Sequence, residues 1–380
     1  METRIYRSID ELGADRVMAQ EGGGLDFSYG LLRAVERTLW GRLEVRYLTV
    51  EDGGETVLFT PVYIGSNLNF NALLPKLIQS SYASQVENLG MAAAYTVAVV
   101  GCLISDRGWI PMHPELRDRA GALRLLLAEI DRLAASFRAQ LCLLKDIHQS
   151  FPEEERGVMR QAGFSEGYSL PTIRIDTRYD SWDQYLSKHL SKNGRKHARK
   201  QFRHAEARGY RLRAVEDFES LIPRLFPLFR SVFLRAKYQF EELPPAFLVE
   251  CNRSRRPLTE MILCEKGDEP VGAMLVFYDR VQQLNRRIGV DYDDADSGLI
   301  YNLLNYQGLI RAIDRGIEHV DLGQSSYLVK TRMGGELTDN YLLLKSYSLA
   351  LKPSLPFQKW WMNRYRAEQV LAGLKQGVQI

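Results

Sequence analysis

The chain lacks the features that would place it in several common classes. Its four cysteines, Cys102, Cys142, Cys251 and Cys264, include no C-x-x-C pair, and their spacing suits neither a zinc site nor a disulfide framework. A reducing compartment is therefore expected. No G-x-G-x-x-G, G-x-x-x-x-G-K-S/T, H-E-x-x-H or G-x-S-x-G string occurs, so dinucleotide-binding, P-loop, zincin and hydrolase-elbow sites are not signalled. Net charge is low, fifty Lys and Arg against forty-seven Asp and Glu, or +3, too little by itself to imply a polyanionic partner. The opening METRIYRSIDELGADR is charged throughout, where an export signal needs an apolar stretch. The expectation is a cytoplasmic protein.

What is present is an ordinary globular composition, 45% hydrophobic and 26% charged over 380 residues, enough for two domains or one large one. The longest stretch poor in charge runs from Thr56 to Ser105, with only Lys76 and Glu87 charged. The β-branched run Thr96-Val97-Ala98-Val99-Val100 before Gly101 reads as a buried strand. Two other uses stay open for 56–105: an acyl-chain channel containing Phe70, Leu73, Leu74, Leu77 and Ile78, or contact with a membrane.

Hydrophobic period and breakers organise the chain as two repeats. The first has a helix over 27–40, strands over 43–50 and 56–64 around the turn Asp52-Gly53-Gly54, a strand over 97–104, a helix over 121–137, a strand over 140–145, a helix over 153–162 and a closing strand over 168–175. In the second, a helix over 218–236 precedes strands over 260–265, 271–278 and 282–290. A helix over 298–315, a strand over 319–322 and a last strand over 341–349 complete it. The reading is α/β, each half a mixed, mostly antiparallel sheet flanked by helices: 1–178, then a second half at 214–352 holding the active site, with a tail at 353–380. The bridge, 179–213, reads as a basic linker helix. Residues 188–213 carry ten Lys or Arg against Glu206 alone, so this segment holds the excess positive charge. A solvated face, or phosphate binding on a cofactor, a tRNA or an anionic membrane, are its open readings.

The strings Tyr179 to Leu186, Leu190-Ser-Lys-Asn-Gly-Arg-Lys-His-Ala-Arg-Lys200, and Ala312-Ile-Asp-Arg-Gly-Ile-Glu-His-Val-Asp-Leu-Gly-Gln324 with Lys330 resemble the double-GNAT acyltransferases. These are the FemAB-type peptidyltransferases and related bacterial N-acyltransferases. The resemblance implies two GNAT-like halves and attack by an amine on an acyl carbon carried as a thioester, of coenzyme A or acyl carrier protein, or as an aminoacyl-tRNA ester. It implies no permanently bound cofactor. Sphingolipid-forming N-acyltransferases in this superfamily suggest a lipid amine as one acceptor and a peripheral membrane contact as one location. Nucleic acid enters only as aminoacyl-tRNA. A non-enzymatic nucleic-acid-binding module using 188–213 is the alternative outside enzymology.

Two departures matter. A GNAT cradles pyrophosphate at a helix start, where the second half has Asp291, Asp293, Asp294 and Asp296, while Arg117-Asp-Arg119-Ala-Gly121-Ala122 is a degenerate cradle in the first half. The acids also fail as a calcium loop, since Ala295, Asp296 and Asn302 stand at positions requiring other residues. No metal site is expected, and Asp296 or Ser297 reads as a helix cap.

Acyl transfer needs a deprotonated amine, an oxyanion stabiliser and a proton for the leaving group. Asp291 and Asp293 are candidates for binding or deprotonating the amine, with helix capping as the structural alternative. Through the resemblance, Tyr327 is the candidate acid and Lys330 the cation for a carboxylate, phosphate or oxyanion. Tyr301, Asn305 and Tyr306 add polar atoms to an apolar helix, and Gln324 and Ser325 join them as substrate contacts. Arg195, Lys196, Arg199 and Lys200, with Arg117 and Arg119, are the phosphate or cofactor contacts; His148 is a further candidate base. Trp360 and Trp361 beside Lys359 and Arg364 give the tail an interfacial composition.

Overall fold

The computed structural model describes residues 1–18, 24–38, 43–69, 94–235, 242–254 and 258–349, with 352, 356, 359, 360, 363, 364 and 370. Phe70 to Ile78 of the apolar region and most of the tail lie outside the described residues. No described helix is long and apolar enough to cross a membrane.

Compact units divide the chain at 170 and 338, rather than at the expected 178, 213 and 352. Met1–Leu170 with Asp339–Ala367 forms the first unit, while Pro171–Ala236 and Glu242–Thr338 belong to the second. The first contains strands β1 (Glu2–Tyr6), β2 (Leu43–Asp52), β3 (Glu55–Asn69), β4 (Ala94–Val100), β5 (Leu141–His148) and β6 (Ser165–Tyr168). Its helices are α1 (Ile9–Leu12), α2 (Ala14–Met18), α3 (Tyr29–Thr38), α4 (Arg119–Ser136) and α5 (Glu153–Gln161). The expected hairpin is present: Asp52 pairs with Glu55 across Gly53 and Gly54, whose φ of 59° and 90° only glycine adopts readily.

The second unit opens with β7 (Thr172–Asp176), α6 (Trp182–Lys188), α7 (Lys192–Ala207) and β8 (Tyr210–Val215). Helices α8 (Ile222–Arg235) and α9 (Pro245–Arg253) lead into β9 (Leu258–Lys266), β10 (Glu269–Tyr278) and β11 (Gln282–Val290). Helix α10 (Ser297–Asp314), β12 (His319–Asp321), α11 (Tyr327–Arg332) and β13 (Glu336–Thr338) complete it.

Among the described residues each sheet has seven strands, ordered β1-β2-β3-β4-β5-β14-β6 and β13-β7-β12-β11-β10-β9-β8, where β14 is Asn340–Ser346. The expected strand over 168–175 is in fact two. Ser169, Leu170 and Pro171 interrupt it, and proline has no N–H for a ladder, so β6 stays in the first sheet and β7 enters the second. Conversely, β14 lies in the first sheet between β5 and β6, although the repeat pattern places it last in the second half. Periodicity identifies a strand but not which of two similar edges receives it.

The linker helix also differs from expectation. It breaks into α6 and α7 at Ser191, whose hydroxyl accepts from Gly194 N–H at 3.2 Å, and its end becomes β8. Leu186, Leu190, Ala198 and Ala205 are buried in the second core with Ile300, Leu303 and Leu309, so the segment is built into the second unit. In that unit α8 lies against β10 and β11. A methyl at Gly289 would sit 2.6 Å from the Phe229 backbone nitrogen. Gly289→Ala is therefore expected to destabilise the protein by about 1–3 kcal/mol, because backbone cannot rotate aside as a side chain can; urea unfolding measures it.

Candidate active site

One parallel pair is present in each sheet among the described residues, and in the second unit it creates an opening. β11 pairs with β12 through Gln282–His319, Gln283–Val320 and Leu284–Asp321. β12 then ends, while β11 continues to Val290, laddered with β10. Arg286 is the extra residue of a bulge, since Leu275 opposes Arg287 and Val276 opposes Asn285. Such bulges bend a strand and re-aim its side chains. Gln283 Nε2 donates to Asn285 Oδ1 and to Gly308 O, both at 2.8 Å, fixing β11 beneath α10.

Beside the opening, the chain leaving β12 turns through left-handed conformations at Gly323, Ser325 and Ser326, with φ of 70°, 66° and 50°. Serine gains nothing from this geometry, and such strain concentrates at functional sites. The loop is flanked on both sides. The buried Lys330 of α11 donates from Nζ to Gln324 O at 2.7 Å, and the Tyr301 hydroxyl of α10 lies close to Ser326. Asn305 Nδ2 donates to Tyr301 O at 2.9 Å. Burial raises the Tyr301 hydroxyl above the ordinary tyrosine range, against the opposing effect of Ser326 and Asn305 beside it. Thus Tyr301, Asn305, Gln324, Ser325 and Lys330 are brought together.

Other candidates are placed elsewhere. Tyr327 is buried and its hydroxyl donates to Pro171 O at 2.9 Å, so it ties α11 to the start of β7 rather than presenting an acid. Tyr306 is fully buried, its ring 5.8 Å from Trp182 and 5.9 Å from Phe202; it packs α10 on α6 and α7. Asp291 Oδ1 accepts from Asp293 N–H at 2.9 Å, and Asp293 is exposed at the approach to α10. Asp294 accepts from Tyr210 Oη at 2.6 Å and Lys266 Nζ at 3.3 Å. Burial pushes its carboxyl up, but these bonds more than offset that and leave it below the usual range. Asp296 holds the N-cap position without a side-chain capping bond; it accepts from Tyr210 and Arg208. Three of the four acids, Asp291, Asp294 and Asp296, therefore have structural partners, and the expected cap by Asp296 is made by backbone alone.

The phosphate candidates divide. Arg195 donates to Ser187 O at 3.1 Å and Leu190 O at 2.8 Å, closing the end of α6. Lys196, Arg199 and Lys200 are exposed on α7. In the first unit, Arg119 Nε donates to Glu155 at 2.8 Å, and Asp118 accepts the Gly121 N–H that a pyrophosphate would need. Arg117 is exposed at a shallow cleft of about 450 Å³ that also contains Asp52, Glu55 and Glu115. An acidic cleft repels a pyrophosphate, so no phosphate cradle forms there.

The first unit also fills its own opening. Beyond the parallel pairing of Val100 with Leu144, Gly108 N donates to Asp146 O and His148 N to Gly108 O. Lys145 Nζ donates to Leu103 O at 3.0 Å and to Ser105 O at 2.7 Å. His148 is buried, with Nδ1 2.7 Å from Ser150 Oγ, part of this closure. Among the described residues, no group of His, Cys, Asp and Glu is arranged to hold a metal ion.

Ser326 and Arg286 were not singled out by sequence. Arg286-Arg287 inside an otherwise buried strand is a readable signal; two left-handed serines are not. Burial, then the like charge of Arg287, pulls the Arg286 guanidinium below the usual arginine range, against the pull of Asp321. Asp321 itself is gripped by Arg174 through two bonds of 2.8 and 2.9 Å.

Two sheets, each with one parallel strand pair among the described residues and open in the second unit, make a tandem GNAT-like fold. Residues 192–331 match the GNAT acetyltransferase domain family. Comparison with curated proteins finds no match. Solved structures agree in fold. FemX is similar with a TM-score of 0.59 and 12% identity, over 94% of this chain and 100% of that one. L-PGS from Bacillus licheniformis follows with 0.53 and 12%, over 86% and 95%. A tandem GNAT protein from the clavulanic acid biosynthesis pathway gives 0.51 and 11%, over 91% and 99%. Residues 192–331 thus carry a GNAT acetyltransferase domain, and the chain as a whole shares the fold of these tandem GNAT structures.

Proposed function

We propose that the second unit transfers an acyl group from a thioester, of coenzyme A or acyl carrier protein, to an amine. The observation that carries this is the opening where β11 outruns β12, with Lys330 and the strained 323–326 loop beside it. Beyond Leu284, where β12 has ended, the β11 backbone offers groups to the amides of a pantetheine arm. Lys330 stabilises the oxyanion formed when the amine attacks the thioester carbonyl. Asp293, with Asp291 behind it, attracts the acceptor ammonium and takes its proton. The C–S bond then breaks, and Tyr301, kept protonated by burial, supplies the proton to the thiolate in place of Tyr327. The acceptor is a small-molecule or lipid amine; the low charge of 56–105 and the Trp-rich tail support the lipid class and a peripheral membrane contact from the cytoplasmic side.

Thermal shift and native mass spectrometry against acetyl-, medium-chain and long-chain acyl-coenzyme A test this reading. Stabilisation that grows with chain length is expected, because each buried methylene contributes about 0.8 kcal/mol. Absence of a shift with every thioester, together with stabilisation by aminoacyl-tRNA, overturns the donor assignment.

A further inference from the structure

Helix α7 carries five cations that no feature of the site accounts for. Lys192, Lys196, Arg199, Lys200 and Arg203 are exposed, and at 100° per residue they fall within an arc of about 100°. Along the axis they span about 16 Å at 1.5 Å per residue. None has an ion-pair partner among the described residues, whereas Arg208 and Arg213, a few residues on, are each paired with a carboxylate. The positive field reaches inward. His197, on the same helix and half-buried, is held below its ordinary range by burial first, then by Arg332 and Lys200.

The strip adjoins the candidate site. α7 packs on α10, and a methyl at Gly194 would lie 3.2 Å from Arg332 O in α11, the helix that bears Lys330. Its apolar side is already used: Ala198 and Ala205 are buried and Phe202 packs on Trp182 and Tyr306. No exposed large hydrophobic residue belongs to α7 among the described residues, so the helix has nothing to insert into lipid. Its one phenyl ring, Phe202, is turned onto Trp182 and Tyr306, which leaves the imidazole of His204 as the exposed ring of α7 among the described residues, a poor platform for successive bases. What remains is a straight cationic strip three turns long, complementary to one acidic helix of a protein.

We propose that α7 docks an acidic acyl carrier protein, placing the carrier's thioester arm at the opening beside α10 and α11. This rests on the acyl-transfer reading and names the donor that the site alone leaves open. The partner's acidic helix lies along Lys192 to Arg203, and long-range attraction speeds encounter more than it deepens the bound state.

The test uses the full chain with palmitoyl-loaded acyl carrier protein, palmitoyl-coenzyme A, unfractionated tRNA and anionic phosphatidylglycerol vesicles. Carrier protein is expected to bind, with affinity falling as salt rises. The double variant Lys192→Glu/Arg203→Glu is expected to raise KM for the carrier-bound thioester roughly tenfold, leaving kcat and turnover of palmitoyl-coenzyme A unchanged. Charge reversal at Lys196, Arg199 and Lys200, read by binding alone, is expected to abolish capture of the carrier. Failure of the carrier to bind, binding of tRNA or vesicles in its place, or an equal fall in turnover of both thioesters overturns the docking proposal. Stripe-dependent binding of the carrier without turnover of either thioester upholds the docking surface and overturns the acyl-transfer reading.

Discussion

Glu260→Ala is expected to cost about 3–5 kcal/mol of stability, the range for breaking a buried ion pair by removing one partner. Glu260 lies in β9 opposite Val276 and is fully buried. Its carboxylate accepts from Arg311 Nε at 2.9 and 2.8 Å and from Arg315 at 2.8 and 2.6 Å. Both arginines occupy the end of α10, where positive charge also suits the helix dipole, and Arg315 lies 3.8 Å over the Tyr278 ring. Loss of the carboxylate leaves two guanidinium groups facing each other over an apolar sheet. Their partial exposure, 29% and 20% of each side chain, sets the expectation toward the lower end. Glu260→Gln keeps the shape but loses the charge, and falls between wild type and alanine.

The same group predicts a pH profile. Burial pushes the Glu260 carboxyl up, but hydrogen bonds from Arg315 and Arg311 outweigh it and leave the acid below its ordinary value. A depressed carboxyl contributes stability above its unfolded value, about 4.3. That contribution is lost as pH falls through the lower folded value. Between pH 7 and 5 the gap between wild type and Glu260→Gln should stay constant, then narrow below about pH 4. Urea unfolding followed at each pH measures this, with the fluorescence of Trp182 reporting on the second unit, which contains no other tryptophan. A gap that widens on acidification would contradict the assigned charge state.

The residues that make elements were legible in the sequence where a local signal was strong. The Asp52-Gly53-Gly54 turn, α4, β11 and α10 fall within about two residues of their expected limits because glycine conformations and apolar period are local properties. Placement of β7 and β14 was not legible, because both sheets offer an antiparallel edge and the choice depends on contacts far apart in sequence. The site divides in the same way. Lys330 and Gln324, which the resembling strings carry, meet through the Nζ–carbonyl bond, and Asn305 bonds Tyr301 O on α10. Tyr327 and Arg195 instead serve backbone carbonyls, Pro171 O for one and Ser187 O and Leu190 O for the other. A hydroxyl or guanidinium in the right segment has the right chemistry, but only the fold decides where it is spent.

Lys330→Met is expected to reduce kcat by about 10²–10³-fold, the range for removing one oxyanion-stabilising donor. Methionine conserves most of the buried volume, so the comparison isolates the ammonium from the packing of α11. The cation is already oriented: Nζ is bonded to Gln324 O in the loop that Ser325 and Ser326 hold in left-handed geometry. Such preorganisation is what makes a buried donor effective in a transition state, since little reorganisation accompanies reaction. A structural role predicts a different pattern, with lower thermal stability and a proportionate loss of folded protein but an unchanged kcat per folded molecule. Active-site titration combined with thermal melting separates the two. Lys330→Arg discriminates further, because it retains positive charge but spreads it over a planar fork that does not fit the position of a compact ammonium. Partial rescue by arginine with none by methionine locates the effect in charge. Wild-type kcat in Lys330→Met would remove Lys330 from the chemistry and shift oxyanion stabilisation to the backbone N–H groups beside the β11 bulge at Arg286.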